Sequence, residues 1–142
     1  MEVPLSLIET GISRGTILHS TMFKHIDHGK FFVIVGVSND YVAVFFFINS
    51  NVNKYIEGKQ EQLDMQYLMR KADYSFLKYD SFLCATKISK IPCKDLARTI
   101  KDGVTSIIGQ MKKEHIEELL ERARESILFS VAEKKMFFVS SH

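Results

Sequence analysis

The sequence is poor in the residues that mark disulfide-bonded or strongly charged proteins. Its 142 residues include two cysteines, two prolines and no tryptophan, and 19 Lys and Arg residues nearly balance 17 Asp and Glu residues. Cys84 and Cys93 do not indicate a disulfide framework, and they lack the paired His or Cys ligands of a zinc site. The net charge of +2 does not by itself indicate a nucleic-acid-binding protein. We expect a protein of the reducing cytoplasm that uses no metal and no other cofactor.

The sequence also lacks a segment suited to secretion or to membrane insertion. Residues 1–4 have neither the basic start nor the long apolar stretch of a signal peptide. The most apolar segment, residues 31–48, carries Ser38, Asn39 and Asp40 in its middle, which would be costly in hydrocarbon. A composition of 46% hydrophobic and 25% charged residues instead predicts one compact soluble domain. We expect a mobile arm over residues 1–13, a single domain over 14–129 and a tail over 130–142.

The apolar segment is expected to form a β-hairpin. Residues 31–37 and 41–48 are dense in aromatic and β-branched residues, which favour strands. Residues 38–40 between them are typical of a tight turn. Neither strand alternates between apolar and polar residues, so both faces must be covered. A barrel interior, a helix or a partner subunit could each provide that cover, and the last would make the protein a homodimer.

The rest of the chain predicts further short strands and two helices. Pro92 is a plausible first helical residue, and the helix continues to Lys101 before Gly103 stops it. A second helix is predicted from Lys112 onward, since Ile116, Leu119, Leu120, Ala123 and Ile127 form an apolar stripe. The fold class is therefore mainly β with helices (α+β), a small curved barrel of about six or seven strands. Besides the hairpin, the predicted strands are 16–19, 76–77, 81–86, 87–91 and 105–110.

Several strings of the sequence carry a resemblance to a known family. They are Arg14-Gly15-Thr16-Ile17-Leu18, His28-Gly29-Lys30 with the strand after it, Ser81-Phe82-Leu83-Cys84, Ile91-Pro92-Cys93-Lys94-Asp95-Leu96 and Ile107-Ile108-Gly109-Gln110-Met111. In their order and spacing, from about Arg14 to Glu125, they resemble the PemK/MazF family of toxin endoribonucleases of type II toxin–antitoxin systems. The resemblance implies an SH3-like barrel, a homodimer, and a groove for single-stranded RNA or an antitoxin-like peptide.

The resemblance also implies a reaction and some of its residues. In this family the RNA's own 2′-hydroxyl attacks phosphorus without a metal, which requires a base, an acid and a cation. Lys30 lies where the family usually has arginine, and Ser50 lies near its Ser or Thr position. The loop between the first two strands adds histidines, the side chains best suited to proton transfer near neutral pH. The predicted catalytic residues are Lys30, His28 and Ser50; a solvated loop without chemistry is the alternative.

A second, basic segment is the candidate for binding phosphates. Residues 87–101 carry five cations and one acid, Asp95. Such a segment can line a phosphate path, or it can be an ordinary exposed strand and helix face. The predicted RNA-binding residues are Lys24 and His25 in the loop, and Lys87, Lys90 and Lys94 in this segment. Tyrosines among polar neighbours are further stacking candidates, whereas the phenylalanines of the hairpin are expected in the core.

Besides a structural dimer whose interface is the apolar hairpin, two functions are open from the sequence. The first is a metal-independent endoribonuclease that acts on single-stranded RNA. The second is a catalytically degenerate barrel that binds RNA or an antitoxin-like peptide without cleaving it. The second arises because the Arg-x-Asp pair of some family members would fall at Cys84 and Thr86, where neither side chain is charged near neutral pH.

Overall fold

The computed structural model describes residues 11–23, 29–48 and 60–138, and this part of the chain is a sheet with helices on both faces. The strands are antiparallel and lie in the order β4-β5-β3-β2-β1-β6. The predicted α+β class is confirmed. The strands are β1 (Thr16–Ser20), β2 (Lys30–Val37), β3 (Tyr41–Ile48), β4 (Gln66–Met69), β5 (Ser81–Pro92) and β6 (Thr105–Gln110). The helices are the one-turn α1 (Gln60–Asp64), α2 (Cys93–Lys101), α3 (Lys113–Glu125) and α4 (Val131–Phe137).

The predicted hairpin forms the middle of the sheet. Phe32 lies opposite Phe46 and Val33 lies opposite Phe45. The Ser38 backbone N–H donates to the Tyr41 carbonyl over 2.8 Å, which closes the turn as the sequence predicted. Because side chains alternate between the two faces of a strand, each strand of the hairpin contributes to two separate cores.

Helices of the chain itself cover both faces of the hairpin. On one face Val33 and Phe45 pack with Leu119 of α3 and Phe137 of α4. On the other face Phe32 and Ile34 pack with residues that include Leu96 of α2. Of the three covers considered from the sequence, the helix is the one found. The hairpin residues of these two clusters are therefore core.

The sheet of the described strands is open rather than closed. The outer strands β4 and β6 are each paired on one side only, with β5 and β1 respectively. The registers of three strand pairs, β1 with β6, β2 with β3, and β3 with β5, each contain a shift. Such bulges bend a strand and increase its twist. The sheet is thus curved, but the closed barrel expected from the sequence is not found in this part of the chain.

Two strand predictions need correction. Phe76 and Leu77 lie in a turn, because the backbone N–H of Leu77 donates to the Tyr74 carbonyl and that of Tyr74 to the Arg70 carbonyl. These local bonds leave no ladder for a strand. The segments 81–86 and 87–91 are one continuous strand, β5, whose register shift against β3 falls between its two halves.

The helix predictions are close at the starts and too long at one end. Pro92 is the N-cap of α2 rather than its first residue. Gly103 follows the end of this helix and has a φ of 79°, a backbone conformation that suits glycine. The predicted stripe of α3 reaches only Ala123, because Ser126 is extended and ends the helix. Ile127 is consequently 79% exposed rather than packed. No helix of the described residues combines the length and apolarity that a membrane span requires.

The chain continues past α3 into a separate docked helix. Ser130 begins α4 with a capping box, in which its side chain and that of Glu133 each accept a backbone N–H. Phe137 and Phe138 are fully buried. Arg14 donates to the carbonyls of Val35 and Phe137, both within 2.9 Å, and thereby ties the helix end to β2. Burial, and then the neighbouring Arg124, lowers the pKa of Arg14.

Candidate functional site

Lys30, the predicted catalytic cation, begins β2 at one end of the sheet. It pairs with Ser20 of β1, and its side-chain nitrogen lies 4.8 Å from the centre of the Phe46 ring. Phe46 packs against the core that α2 covers, so the Lys30 ammonium lies on that face. A cation over an aromatic ring is held by the ring quadrupole. The other two predicted catalytic residues, His28 and Ser50, lie outside the described residues.

His19 lies beside Lys30 in the sheet but on the opposite face. It pairs with Phe31, and the two rings are 4.6 Å apart between centroids. Gly29 has a φ of 74°, and a Cβ there would lie 2.8 Å from the His19 ring and 2.8 Å from the Ser20 carbonyl oxygen. Only glycine fits so close an approach. Gly29 therefore lies tightly against the His19 ring and the Ser20 backbone.

The predicted RNA-binding residue Lys90 does not lie near Lys30. Lys90 pairs with Ala43, which pairs with Gly36, six residues beyond Lys30 on β2. At about 3.3 Å per residue the two backbones are roughly 20 Å apart. The Lys90 ammonium lies 5.9 Å from the centre of the Phe137 ring, on the face that α4 covers. Lys30 and Lys90 are thus at different ends and on different faces of the sheet. Lys24 and His25 lie outside the described residues.

Lys87 and Lys94 lie in different elements, the strand β5 and the helix α2. Lys87 is exposed and lies within the register shift of β5. Lys94 is in the first turn of α2, whose start is fixed to the hairpin turn by a bond of 2.8 Å from the Cys93 N–H to the Asp40 carbonyl. The cation of Arg98 on the same helix is partly neutralised by Asp95, 3.3 Å away. The basic segment therefore spans the second half of β5 and the helix α2.

The positions that the resemblance aligns with an Arg-x-Asp pair carry no charge here. Cys84 Sγ lies 3.3 Å from the Thr86 hydroxyl and accepts a hydrogen bond from the Gln66 amide over 3.6 Å. Cys84 and Cys93 are both free thiols. Burial, and then Asp40, raises the pKa of the Cys93 thiol, so this thiol is kept in its unreactive protonated form.

A row of half-buried aromatic rings is the most distinctive surface at the Lys30 end of the sheet. His19, Phe31 and Phe47 lie on neighbouring strands, and Phe76 reaches them from the turn before β5. The ring centroids of Phe31 and Phe76 are 5.3 Å apart, those of Phe47 and Phe76 are 5.9 Å apart, and those of Phe31 and Phe47 are 6.4 Å apart. We call these four residues the aromatic row.

The sequence did not reveal the aromatic row. Phe31 and Phe47 lie in apolar runs that are typical of core strands, and Phe76 was expected in a strand of its own. The register of the hairpin, Phe32 opposite Phe46, is what brings Phe31 and Phe47 to the same face. The stacking candidates chosen among the tyrosines differ from one another, because Tyr67 and Tyr74 are buried and Tyr79 is exposed.

A network of polar aromatic residues extends from the row toward α3. The Tyr74 hydroxyl accepts the Lys112 backbone N–H over 3.0 Å and lies 2.7 Å from His115 Nδ1. Either the hydroxyl or Nδ1 can be the donor of this second hydrogen bond, because a phenolic oxygen both donates and accepts. Burial, together with the adjacent Glu118, raises the pKa of Tyr67 to about 12. Nothing in the residue spacing predicted this network.

The comparisons with known proteins do not assign a family. Within the described residues, no group of three or more His, Cys, Asp or Glu side chains could hold a metal ion. No protein-family model matches the chain, and no curated protein matches it.

Proposed function

We propose that the protein is a single-stranded RNA-binding module that uses the aromatic row as its stacking surface. Three rings on neighbouring strands of one sheet face form a platform, and sheet platforms of this kind stack unpaired bases in other RNA-binding folds. The row is the observation that carries the proposal. Binding without cleavage is also the function of the catalytically degenerate barrel that the resemblance implied as an alternative. Here the binding surface lies on a sheet that is curved by its bulged strands.

The chain next to the row supports this proposal. His28 precedes Phe31 by three residues and Ser50 follows Phe47 by three, so the segments predicted to contain the site join the sheet at the row. The turn that carries Phe76 also supplies the exposed cations Arg70, Lys71 and Lys78. Cations beside stacking rings bind the RNA backbone and make the affinity fall as salt rises.

The test is binding of a labelled mixed-sequence single-stranded RNA, measured by fluorescence anisotropy in EDTA at low salt. The double variant Phe31→Leu with Phe76→Leu keeps the apolar surface but removes two rings. We expect it to lose about tenfold or more in affinity, because base stacking on an aromatic ring contributes roughly 1–3 kcal/mol. Tyr79→Leu, an exposed ring outside the row, is the matched control and should bind as the unchanged protein does.

Two results would contradict this proposal. One is the absence of any binding at low salt by the folded protein. The other is equal affinity of the unchanged protein and the double variant. If Lys87→Ala and Lys94→Ala weaken binding while the double variant does not, the basic segment is the RNA surface instead.

A metal-independent endoribonuclease is the second candidate, favoured by the fixed geometry around Lys30. The ammonium is held on Phe46, and Gly29 holds the adjacent backbone against His19 and Ser20. We propose that Lys30 stabilises the charge that develops on phosphate, while His28 and Ser50 give and accept protons. The enzyme would act in the cytoplasm. An antitoxin-like peptide that competes for the same surface would control it.

Cleavage is distinguished from binding in a separate assay. Folded protein is incubated with the same RNA in EDTA, and the products are separated and tested for cyclic phosphate ends. The endoribonuclease predicts cleavage that is lost in Lys30→Ala and in His28→Ala. RNA that stays intact for hours while it is bound would leave the binding module as the function.

A further inference from the structure

The turn that carries Phe76 is built around Tyr74. We call residues 70–78, between β4 and β5, the Phe76 turn. Within it the Tyr74 backbone N–H donates to the Arg70 carbonyl, and the Tyr74 carbonyl accepts the Leu77 N–H, each over 3.1 Å. Tyr74 is 5% exposed, and its ring centroid lies 6.4 Å from that of Phe76. The place of Phe76 in the aromatic row therefore depends on where the Tyr74 side chain is held.

The Tyr74 hydroxyl is held by two groups at the start of α3. It accepts the backbone N–H of Lys112 over 3.0 Å and lies 2.7 Å from Nδ1 of His115. A neutral imidazole can accept a hydrogen bond at Nδ1, so the hydroxyl can donate its own proton there and every group of the network is then paired. Within the part of the chain that the structure describes, no other acceptor bonds to this hydroxyl.

Protonation of His115 removes the acceptor. Both nitrogens of an imidazolium ring are donors, so the Tyr74 oxygen would face two N–H groups while its own proton had no partner. An unpaired polar group in a buried side chain destabilises the arrangement that buries it. The new charge would also lie in the first turn of a 13-residue helix, where the helix dipole disfavours a cation. The neutral ring therefore favours the bonded arrangement, and the charged ring opposes it.

The charges around the network do not replace this acceptor. The titratable and charged groups that face His115 and the Tyr74 hydroxyl come from β4, from the Phe76 turn and from the start and outer turns of α3; they are Tyr67, Asp73, Lys112, Glu114, Glu118 and Arg122. Asp73 is paired with Lys112 over 3.1 Å, and Glu118 is paired with Arg122 over 2.7 Å. Two of the three acids thus already have a cation, and none of the three bonds to the hydroxyl.

We propose that His115 is a pH-sensitive anchor of the Phe76 turn. With the neutral ring, the hydroxyl holds the turn against α3, and Phe76 packs with Phe31 and Phe47. With the charged ring, the turn opens and the aromatic row loses one of its rings. Histidine is the side chain that ordinarily changes charge between about pH 5 and about pH 8, so RNA binding is weakened at the acidic end of that range. This effect on RNA rests on the proposed function, whereas the opening of the turn does not.

The first test is hydrogen exchange of the full chain without RNA, measured by NMR at about pH 5 and at about pH 8. The results are expressed as protection factors, which correct for the effect of pH on exchange itself. Protection of the Tyr74 and Leu77 amides should fall about fivefold or more at the lower pH, because a buried polar group is left unpaired. The amide of Val33, in the central hairpin, should keep its protection.

Three variants separate the anchor from other effects of pH. His115→Gln carries an amide oxygen that can accept from the hydroxyl but takes up no proton in this range, so its turn should be equally protected at both values. Tyr74→Phe lacks the hydroxyl and should likewise show no dependence on pH. His19→Gln alters a histidine of the aromatic row, and as the matched control it should keep the full fall in protection.

The effect on RNA is measured separately, by fluorescence anisotropy with the same labelled RNA at the two pH values. Because other histidines also gain charge, the unchanged protein is compared with His115→Gln. The two should bind equally at the higher pH, and the unchanged protein should bind about fivefold more weakly at the lower pH. Equal affinities there would overturn the regulation of RNA binding.

The inference itself is decided by the exchange data. Equal protection of Tyr74 and Leu77 at both pH values would overturn it, and so would a fall that persists in His115→Gln. If the turn responds to pH as expected but no RNA binds at either value, the proposed function fails while the anchor stands.

Discussion

The contact between Gly36 and the end of α4 makes the most quantitative prediction. A Cβ at position 36 would lie 2.5 Å from the Phe137 carbonyl oxygen and 2.8 Å from its Cα. These are backbone atoms, so they cannot move aside as a flexible side chain would. Gly36 pairs with Ala43 directly after the register shift that follows Ile34 in β2. Gly36→Ala must therefore displace either the helix or the strand.

The expected cost follows from what the displacement disturbs. Forcing one methyl group into a packed interior costs about 1–3 kcal/mol. If α4 detaches, Phe137 and Phe138 become exposed, and each loses roughly 1.5–3 kcal/mol of burial free energy. Detachment would also break the hydrogen bond of 2.8 Å from Arg14 to the Phe137 carbonyl. We expect Gly36→Ala to lower the free energy of unfolding by at least about 1 kcal/mol.

The measurement is urea-induced unfolding followed by circular dichroism. Gly109→Ala is the matched control, since a Cβ there meets nothing within 4 Å. It should change the free energy of unfolding by less than about 0.5 kcal/mol. The account of α4 docking is refuted if Gly36→Ala is as stable as this control.

Three further predictions concern polar side chains, namely the Ser130 cap, the Thr105 hydroxyl and the Tyr67 phenol. Ser130→Ala removes the capping box with Glu133 and should destabilise the protein by about 0.5–2 kcal/mol in the same urea assay; an unchanged midpoint would contradict the cap. Thr105→Val breaks bonds of 2.7 and 2.8 Å to two buried hydroxyls and should cost about 1–3 kcal/mol, whereas a smaller loss would mean that these hydroxyls find other partners. Because folding raises the pKa of Tyr67 from 10.0 to about 12, its neutral phenol stabilises the fold below pH 10, and this stabilisation is lost as pH rises toward 12. Tyr67→Phe should therefore flatten the fall of unfolding free energy with pH over that range, and equal slopes would refute the assignment.

Local features of the fold were predictable from the sequence. The turn at residues 38–40 and the end of α2 at Gly103 depend on backbone preferences of neighbouring residues, and both are where the sequence predicts them. The Ser130–Glu133 spacing is also a local signal of a helix start, although only a tail was predicted over residues 130–142. The open sheet was not predictable, because closure depends on whether the two distant edge strands meet.

The arrangement of the candidate site depends on long-range register, and this is why much of it was missed. Lys30 and Lys90 were predicted as a catalytic and an RNA-binding residue of one site, yet two strand pairs and their shifts place them at opposite ends. Phe31 and Phe47 look like core residues when each strand is read alone. Only their pairing, together with Phe76 from 29 residues further along the chain than Phe47, makes a surface of them.

The most direct test of the RNA-binding account is an NMR titration of the labelled protein with a short single-stranded RNA in EDTA. The account predicts that ring signals of His19, Phe31, Phe47 and Phe76 shift first and saturate together. Shifts confined to the amides of residues 87–101, with the ring signals unchanged, would contradict it.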